Sequence, residues 1–65
     1  MRGLPMLNET EHPSGTQVVR PGYGYRGRVV GWTTKFGTRF VIVSWNGRTG
    51  STRENPAGLE PARAL

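Results

Sequence analysis

Short β-prone stretches, separated by glycine- and proline-rich turns, run along the chain from residue 16 onward. The strongest is 39–45, RFVIVSW, followed by Asn46-Gly47, a dipeptide typical of tight hairpins because both residues tolerate positive φ. Five short strands at this spacing predict an all-β domain, a small five-stranded SH3-like barrel over residues 16–65. The predicted strands are 16–20, 28–34, 39–45, 49–54 and 60–64, with one helical turn at 56–59.

Turn residues within this pattern add detail. Residues 35–38, KFGT, predict a hairpin between the second and third strands. Gly31 interrupts the second strand, and an isolated glycine there favours a β-bulge or the close approach of another backbone. Residues 21–27, PGYGYRG, predict a loop that exposes Tyr23 and Tyr25.

The first 15 residues differ in character from the rest. They carry no apolar periodicity, and they contain two prolines, two glycines and the acidic pair Glu9 and Glu11. Such a segment has little with which to form a core. We therefore expect residues 1–15 to be a flexible, disordered N-terminal tail, with the barrel domain spanning 16–65.

The third predicted strand is apolar on both sides, although a strand with one wet face should alternate. Val41, Val43 and Trp45 fall on one face, and Phe40 and Ile42 fall on the other. Two explanations are open: the tail or the last segment covers the second face, or that face is a subunit interface of a homo-oligomer. The residues predicted to lie in the core or at an interface are Trp32, Val41, Val43 and Trp45.

The charge distribution favours an anionic partner. Nine Lys and Arg oppose four Glu in the whole chain, and residues 16–55 hold seven cations against one carboxylate, a net charge of +6. Basic groups attract phosphates, and exposed aromatic rings stack on bases. The predicted nucleic-acid-binding residues are Tyr23, Tyr25, Arg26, Arg28, Lys35, Arg39, Arg48 and Arg53.

Catalytic and metal-binding patterns do not emerge from the sequence. The chain has no Cys, His12 is its single His, and its glycines lack the Lys-Ser/Thr ending of a phosphate loop. We therefore predict no catalytic residue, no metal site and no cofactor. No apolar run approaches the ~20 residues of a membrane span, and the N-terminus lacks a secretory pattern, so a cytoplasmic protein is expected.

Residues 17–34, QVVRPGYGYRGRVVGWTT, resemble the opening of the type II dihydrofolate reductases, the plasmid-borne, trimethoprim-resistant kind. That family has a Val-Arg-Lys-Lys strand, a glycine-containing loop, an aromatic residue and a Gly-x-Ile-Val-Gly-Trp strand. Near its C-terminus it has the run Gly-Ser-Val-Gln-Ile-Tyr-Pro-x-x-x-Leu-Glu. The matching positions here are Arg20, Gly22, Tyr25, 27–32, Gly50, Ser51, Pro56, Leu59 and Glu60.

The resemblance implies an SH3-like barrel that forms a homotetramer around a central pore, where NADPH and dihydrofolate bind. The family's Val-Gln-Ile-Tyr segment, which binds both ligands, is replaced here by residues 52–55, TREN. Because none of the four is identical, the same comparison argues against reductase activity and an NADPH cofactor. The pore-equivalent positions would be Arg20, Ser51, Thr52, Arg53, Glu54 and Asn55.

A shorter stretch, residues 18–30, is similar to the KOW element of ribosomal and transcription-elongation proteins, an SH3-like barrel that contacts RNA or polymerase. Gly22, Gly27 and Val29 carry this similarity. Our leading hypothesis is a small, basic, non-enzymatic binding module that contacts nucleic acid or a nucleic-acid-associated protein. The alternatives are an NADPH-dependent reductase of the type II class and a small phage- or plasmid-encoded inhibitor that binds a protein.

Overall fold

Five antiparallel strands and one 3₁₀ turn make up the regular structure of the computed structural model, which describes residues 7–62. They pair in a single sheet of order β4-β3-β2-β1-β5. The two outer strands, β4 and β5, are not paired with each other in the described residues, so the sheet is open. The all-β prediction is confirmed, whereas closure into a barrel is not seen. The elements are β1 (Gln17–Arg20), β2 (Tyr25–Lys35), β3 (Thr38–Trp45), β4 (Ser51–Glu54), the 3₁₀ turn Pro56–Gly58 and β5 (Glu60–Pro61).

The hairpin between β2 and β3 has the two-residue turn that its sequence predicts. Lys35 pairs with Thr38, and Phe36 and Gly37 between them have φ of 53° and 75°. Two successive positive φ angles define a turn whose twist matches that of the flanking strands. The turn leaves the Phe36 ring 94% exposed, in a backbone region that a phenylalanine rarely adopts.

The connection from β3 to β4 is longer than the Asn46-Gly47 signal predicts. Ser44 pairs with Ser51, so a loop separates the strands, and Arg48 N donates to Trp45 O at 3.1 Å. Gly47 has a φ of 78°, but Asn46 is not among the residues with positive φ. The hairpin that Asn46-Gly47 predicts is therefore present, but its loop is longer than a two-residue turn.

A β-bulge in β2 confirms the irregularity predicted at Gly31. Val29 pairs with Val43 and Gly31 pairs with Ile42, so Val30 is the extra residue. The other explanation, a close backbone approach, does not hold, because a Cβ at Gly31 would meet no atom within 4 Å. Beyond the bulge, Trp32 pairs with Val41 and packs against the core from the same face as Val29.

The core lies on one face of the sheet and is built mainly from valines. Val41 and Val43 are fully buried, Trp45 is 9% exposed, and Trp32 packs against them while partly exposed. On the other face, Phe40 and Ile42 are half-buried. The buried apolar residues are Leu7, Val18, Val29, Val41, Val43, Trp45 and Leu59.

The segment before β1 differs from the tail predicted for residues 1–15. Leu7 is 2% exposed within the core, the Trp32 indole donates to the His12 carbonyl at 3.1 Å, and Gly15 N donates to Val29 O at 2.8 Å. The packed region therefore begins no later than Leu7, rather than at residue 16. A single leucine has no periodicity, so the sequence pattern does not predict its burial. Residues 1–6 of the predicted tail lie outside the described residues.

Within residues 7–62 no helix has the length and apolar character to cross a membrane.

Candidate functional site

A cleft of about 320 Å³ opens beside the core, where β1 ends and β2 begins. Arg20, the last residue of β1, pairs with Tyr25, the first residue of β2. Trp45, the last residue of β3, forms the floor between them and β4. The lining residues are Arg20, Tyr23, Tyr25, Arg26, Trp45, Asn46, Arg48, Thr52 and Glu54.

Glycines shape this cleft in two ways. Gly22 and Gly24 have φ of 84° and 78°, which lets the loop turn tightly and display Tyr23. Gly27 makes room for the Trp45 ring, because a Cβ there would lie 2.7 Å from Ser44 O and 3.0 Å from Trp45 Cε3. A larger residue at position 27 would therefore displace the indole that forms the floor.

Three aromatic side chains form a continuous surface along the cleft. The Tyr23 and Tyr25 rings are stacked, with centroids 5.7 Å apart and planes 24° apart. Tyr25 meets Trp45 edge-on, with centroids 6.5 Å apart. Trp45 is anchored in the core, whereas Tyr23 and Tyr25 remain 67% and 55% exposed. The geometry fixes two tyrosine rings on a rigid base and leaves them accessible to a ligand.

A chain of hydrogen bonds runs from the core into the cleft. The Trp45 indole donates to the Thr52 hydroxyl at 2.7 Å, and this hydroxyl donates to Glu54 Oε2 at 2.6 Å. Glu54 Oε1 forms a salt bridge with Arg20, whose guanidinium carbon lies 5.7 Å from the centre of the Tyr23 ring. The network links β3, β4, β1 and the tyrosine loop. No local pattern could have revealed it, because Arg20 and Glu54 are far apart in sequence.

The charges of the cleft favour an anion. Three arginines and one glutamate line it, a net charge of +2. Glu54 is paired with Arg20, whereas Arg26 and Arg48 are exposed and form no ion pair with any other residue in the range 7–62. A concave surface with an excess of one sign of charge raises the local concentration of oppositely charged ligands.

The predicted nucleic-acid-binding residues do not form one surface. Arg28 and Arg53 lie on the other face of the sheet, where the Arg53 guanidinium covers the Phe40 ring at 5.2 Å. Lys35 lies at the β2–β3 turn, and Arg39 near it pairs with Glu9. The predicted residues that border the cleft are Tyr23, Tyr25, Arg26 and Arg48. Arg26 alternates with Tyr25 and Gly27 along β2, so it lies at the rim and its side chain leaves β2 on the face that carries Arg28.

The pore-equivalent positions likewise do not share one surface. Thr52 and Glu54 line the cleft with Arg20. Ser51 and Arg53 alternate with them and face the opposite side of β4. Asn55 caps the 3₁₀ turn by accepting a hydrogen bond from Ala57 N at 2.9 Å.

His12 lies away from the cleft. It is 8% exposed in the turn before β1, where the backbone N–H of Asn8 donates to its Nδ1 at 3.0 Å. Among residues 7–62, no group of three or more His, Cys, Asp or Glu side chains could hold a metal ion.

Comparisons of the chain with protein-family models, with curated proteins and with solved structures give no match, so the functional argument rests on the cleft itself.

Proposed function

We propose that this protein is a non-enzymatic module that binds single-stranded nucleic acid in the cleft. The observation that carries the proposal is the pairing of two exposed, stacked tyrosines with two arginines that have no acidic partner in the described residues. Tyr23 and Tyr25 supply the faces on which bases stack, Arg48 contacts phosphate in the cleft, and Arg26 contacts phosphate from the rim. This combination of a basic groove and aromatic faces is the usual one for single strands.

Single strands suit the cleft better than duplexes do. In a duplex both faces of each base are covered by neighbouring bases, so an aromatic side chain stacks only on bases that are already separated. The cleft volume of about 320 Å³ lies at the lower end of the ~300–1,000 Å³ typical of ligand sites. It therefore suits one or two nucleotides of a longer strand.

The arrangement of the strands supports an SH3-like assignment as part of the same proposal. Five strands with a 3₁₀ turn immediately before the last support it, because the sequence predicts the same succession of elements. A cytoplasmic location, where nucleic acids are accessible, belongs to the proposal as well. The proposed binding needs neither a cofactor nor a metal ion.

The test is fluorescence anisotropy with labelled single-stranded DNA, single-stranded RNA and duplex DNA, each about ten nucleotides long. Tyr23→Ala and Tyr25→Ala should each weaken single-strand binding by ~1–3 kcal/mol, the usual contribution of one base–aromatic stack. Phe36→Asn is the matched control, because Phe36 is a more exposed aromatic residue outside the cleft. Binding by the control should equal that of the unmodified protein.

Two results would overturn the proposal. One is an absence of binding to every probe at low ionic strength, which would favour the protein-binding alternative. The other is equal weakening by Tyr23→Ala and Phe36→Asn, which would place binding outside the cleft.

A further inference from the structure

One acidic side chain lines a cleft that is otherwise basic. Glu54 lies among Arg20, Arg26 and Arg48, and its side chain is 17% exposed. A carboxylate at this position repels phosphates and so weakens binding that depends on charge alone. Its presence therefore fits a contact with something other than phosphate.

The hydrogen bonds around Glu54 determine which hydrogen-bonding groups of the cleft are free to contact a base. Glu54 Oε1 accepts from Arg20, and Oε2 accepts from the Thr52 hydroxyl. A carboxylate has about four lone-pair sites, so each oxygen keeps one for a ligand. The Thr52 proton is committed to Glu54, and its oxygen already accepts from Trp45. This wall of the cleft thus presents hydrogen-bond acceptors in a fixed orientation.

The bases of DNA and RNA differ in how their Watson–Crick edges meet a carboxylate. Guanine presents the N1–H and the N2 amino group side by side, two donors that match two carboxylate oxygens. Adenine and cytosine place an amino donor beside a ring nitrogen whose lone pair faces the acceptor. Thymine and uracil present one N–H between two carbonyl oxygens, which the carboxylate repels. Charge-assisted, bidentate hydrogen bonds are the strong ones, so guanine is the best partner.

We infer that Glu54 is a specificity-determining residue, and that the cleft prefers guanine among the bases stacked on the tyrosines. The inference rests on the proposed binding of single strands.

The experiment uses an oligothymidine of about ten nucleotides with one central position varied as G, inosine, A, C or T. Competition anisotropy with the unmodified protein should give a preference for G over T of about 5- to 150-fold, the range for one good bidentate contact. Inosine lacks the N2 amino group and should fall between G and T. This series needs no variant, so it does not depend on how a substitution affects folding.

Glu54→Gln then tests the residue itself. It removes the negative charge and one acceptor at nearly constant size, so all-T binding should become tighter while the preference for G falls toward one. These opposite changes separate a base-reading role from a loss of folding, which would weaken both probes. A Glu54→Gln protein that keeps the full preference for G would overturn the inference.

Failure of the inference and failure of the proposed function give different results. Equal binding of all five probes would overturn the guanine preference and leave single-strand binding intact. No binding of any probe at low ionic strength would overturn both.

Discussion

The indole nitrogen of Trp45 donates a hydrogen bond to the hydroxyl of Thr52 at 2.7 Å, across the paired strands β3 and β4. Trp45 belongs to the core and also forms the floor of the cleft. Its ring therefore holds the same position for two reasons, packing below and a hydrogen bond at its edge. The stability of the sheet and the geometry of the cleft are coupled through this pair.

Thr52→Val tests that coupling. Valine keeps the shape and β-propensity of threonine but leaves the Trp45 N–H without its partner. Leaving a buried donor unsatisfied costs ~1–3 kcal/mol, so the free energy of unfolding in urea should fall by about that amount. Thr33→Val, at a half-buried position of β2 outside the network, is the matched control and should change stability by less. Equal stability of both variants would show that the hydrogen bond contributes nothing.

Leu7→Ala tests the role of the segment before β1. Leu7 is 2% exposed in the core, and truncating a buried leucine costs ~2–5 kcal/mol. Domains of this size have a total stability of only ~5 kcal/mol, so thermal or urea unfolding should show a large loss. Thr10→Ala, an exposed position in the same segment, should have little effect. If Leu7→Ala unfolds like the unmodified protein, the segment does not contribute to the core.

Phe36→Asn should stabilise the protein. Phe36 has a φ of 53°, where residues other than glycine, asparagine and aspartate are strained by ~1–2 kcal/mol. The ring is 94% exposed, so little buried area is lost, and the result is the Asn-Gly sequence preferred in this turn. We expect a gain of about 0.5–1 kcal/mol in the free energy of unfolding. Gly37→Ala, which introduces a Cβ at a φ of 75°, should lower stability, and the two variants together test the turn.

The salt dependence of binding should report which arginines contact phosphate. Each phosphate contact with a single strand contributes ~0.7 to the slope of log K against log salt concentration. Neutralising Arg26 and Arg48 together should therefore reduce the slope by about 1.4. The control neutralises Arg28 and Arg53, which carry the same charge on the other face of the sheet, and it should leave most of the slope in place. A larger reduction in the control would show that nucleic acid binds on that face instead.

NADPH-dependent reduction of dihydrofolate should be absent or weak. The type II enzymes act by holding two ligands together in a pore, and here Glu54 would repel the phosphates of the cofactor while Arg53 lies on the other side of β4. The measurements are NADPH oxidation and bacterial growth in trimethoprim. Clear turnover with resistance would contradict the prediction. Turnover gained only after residues 52–55 become Val-Gln-Ile-Tyr would indicate a shared scaffold with a different role.

Local sequence signals predicted the elements whose causes are local. The Phe36-Gly37 turn, the bulge beside Gly31 and the 3₁₀ turn after Asn55 each depend on a few adjacent residues, and the structure has all three. The sequence predicts that β2 begins at residue 28, whereas it begins at Tyr25. Pairing with β1 overrides the loop character of the residues from Tyr25 to Gly27.

The candidate site could be predicted only in part, because some of its features are local and others depend on strand pairing. Exposed tyrosines on a glycine-rich loop beside basic residues were visible in the sequence. The salt bridge between Arg20 and Glu54, and the position of Arg53 on the far face of β4, follow from strand pairing and register. These contacts join segments that are distant in sequence, so composition and residue spacing do not predict them.

The extra residue at Val30 makes the β2–β3 hairpin sensitive to length as well as to composition. In a regular strand, Val29 and Trp32 would point to opposite sides, and the single additional residue is what brings both against the valines of β3. Deleting Val30 would leave Val29, Gly31 and Trp32 consecutive and opposite Val43, Ile42 and Val41, so the ladder would become regular with the indole still on the core face. Forcing Val30 into the ladder would instead invert everything from Gly31 to the turn, exposing the indole and turning Thr33 inward. The burial of Trp32 thus depends on the bulge taking up one residue. Deletion of Val30 should therefore be tolerated better than insertion of a second residue beside it.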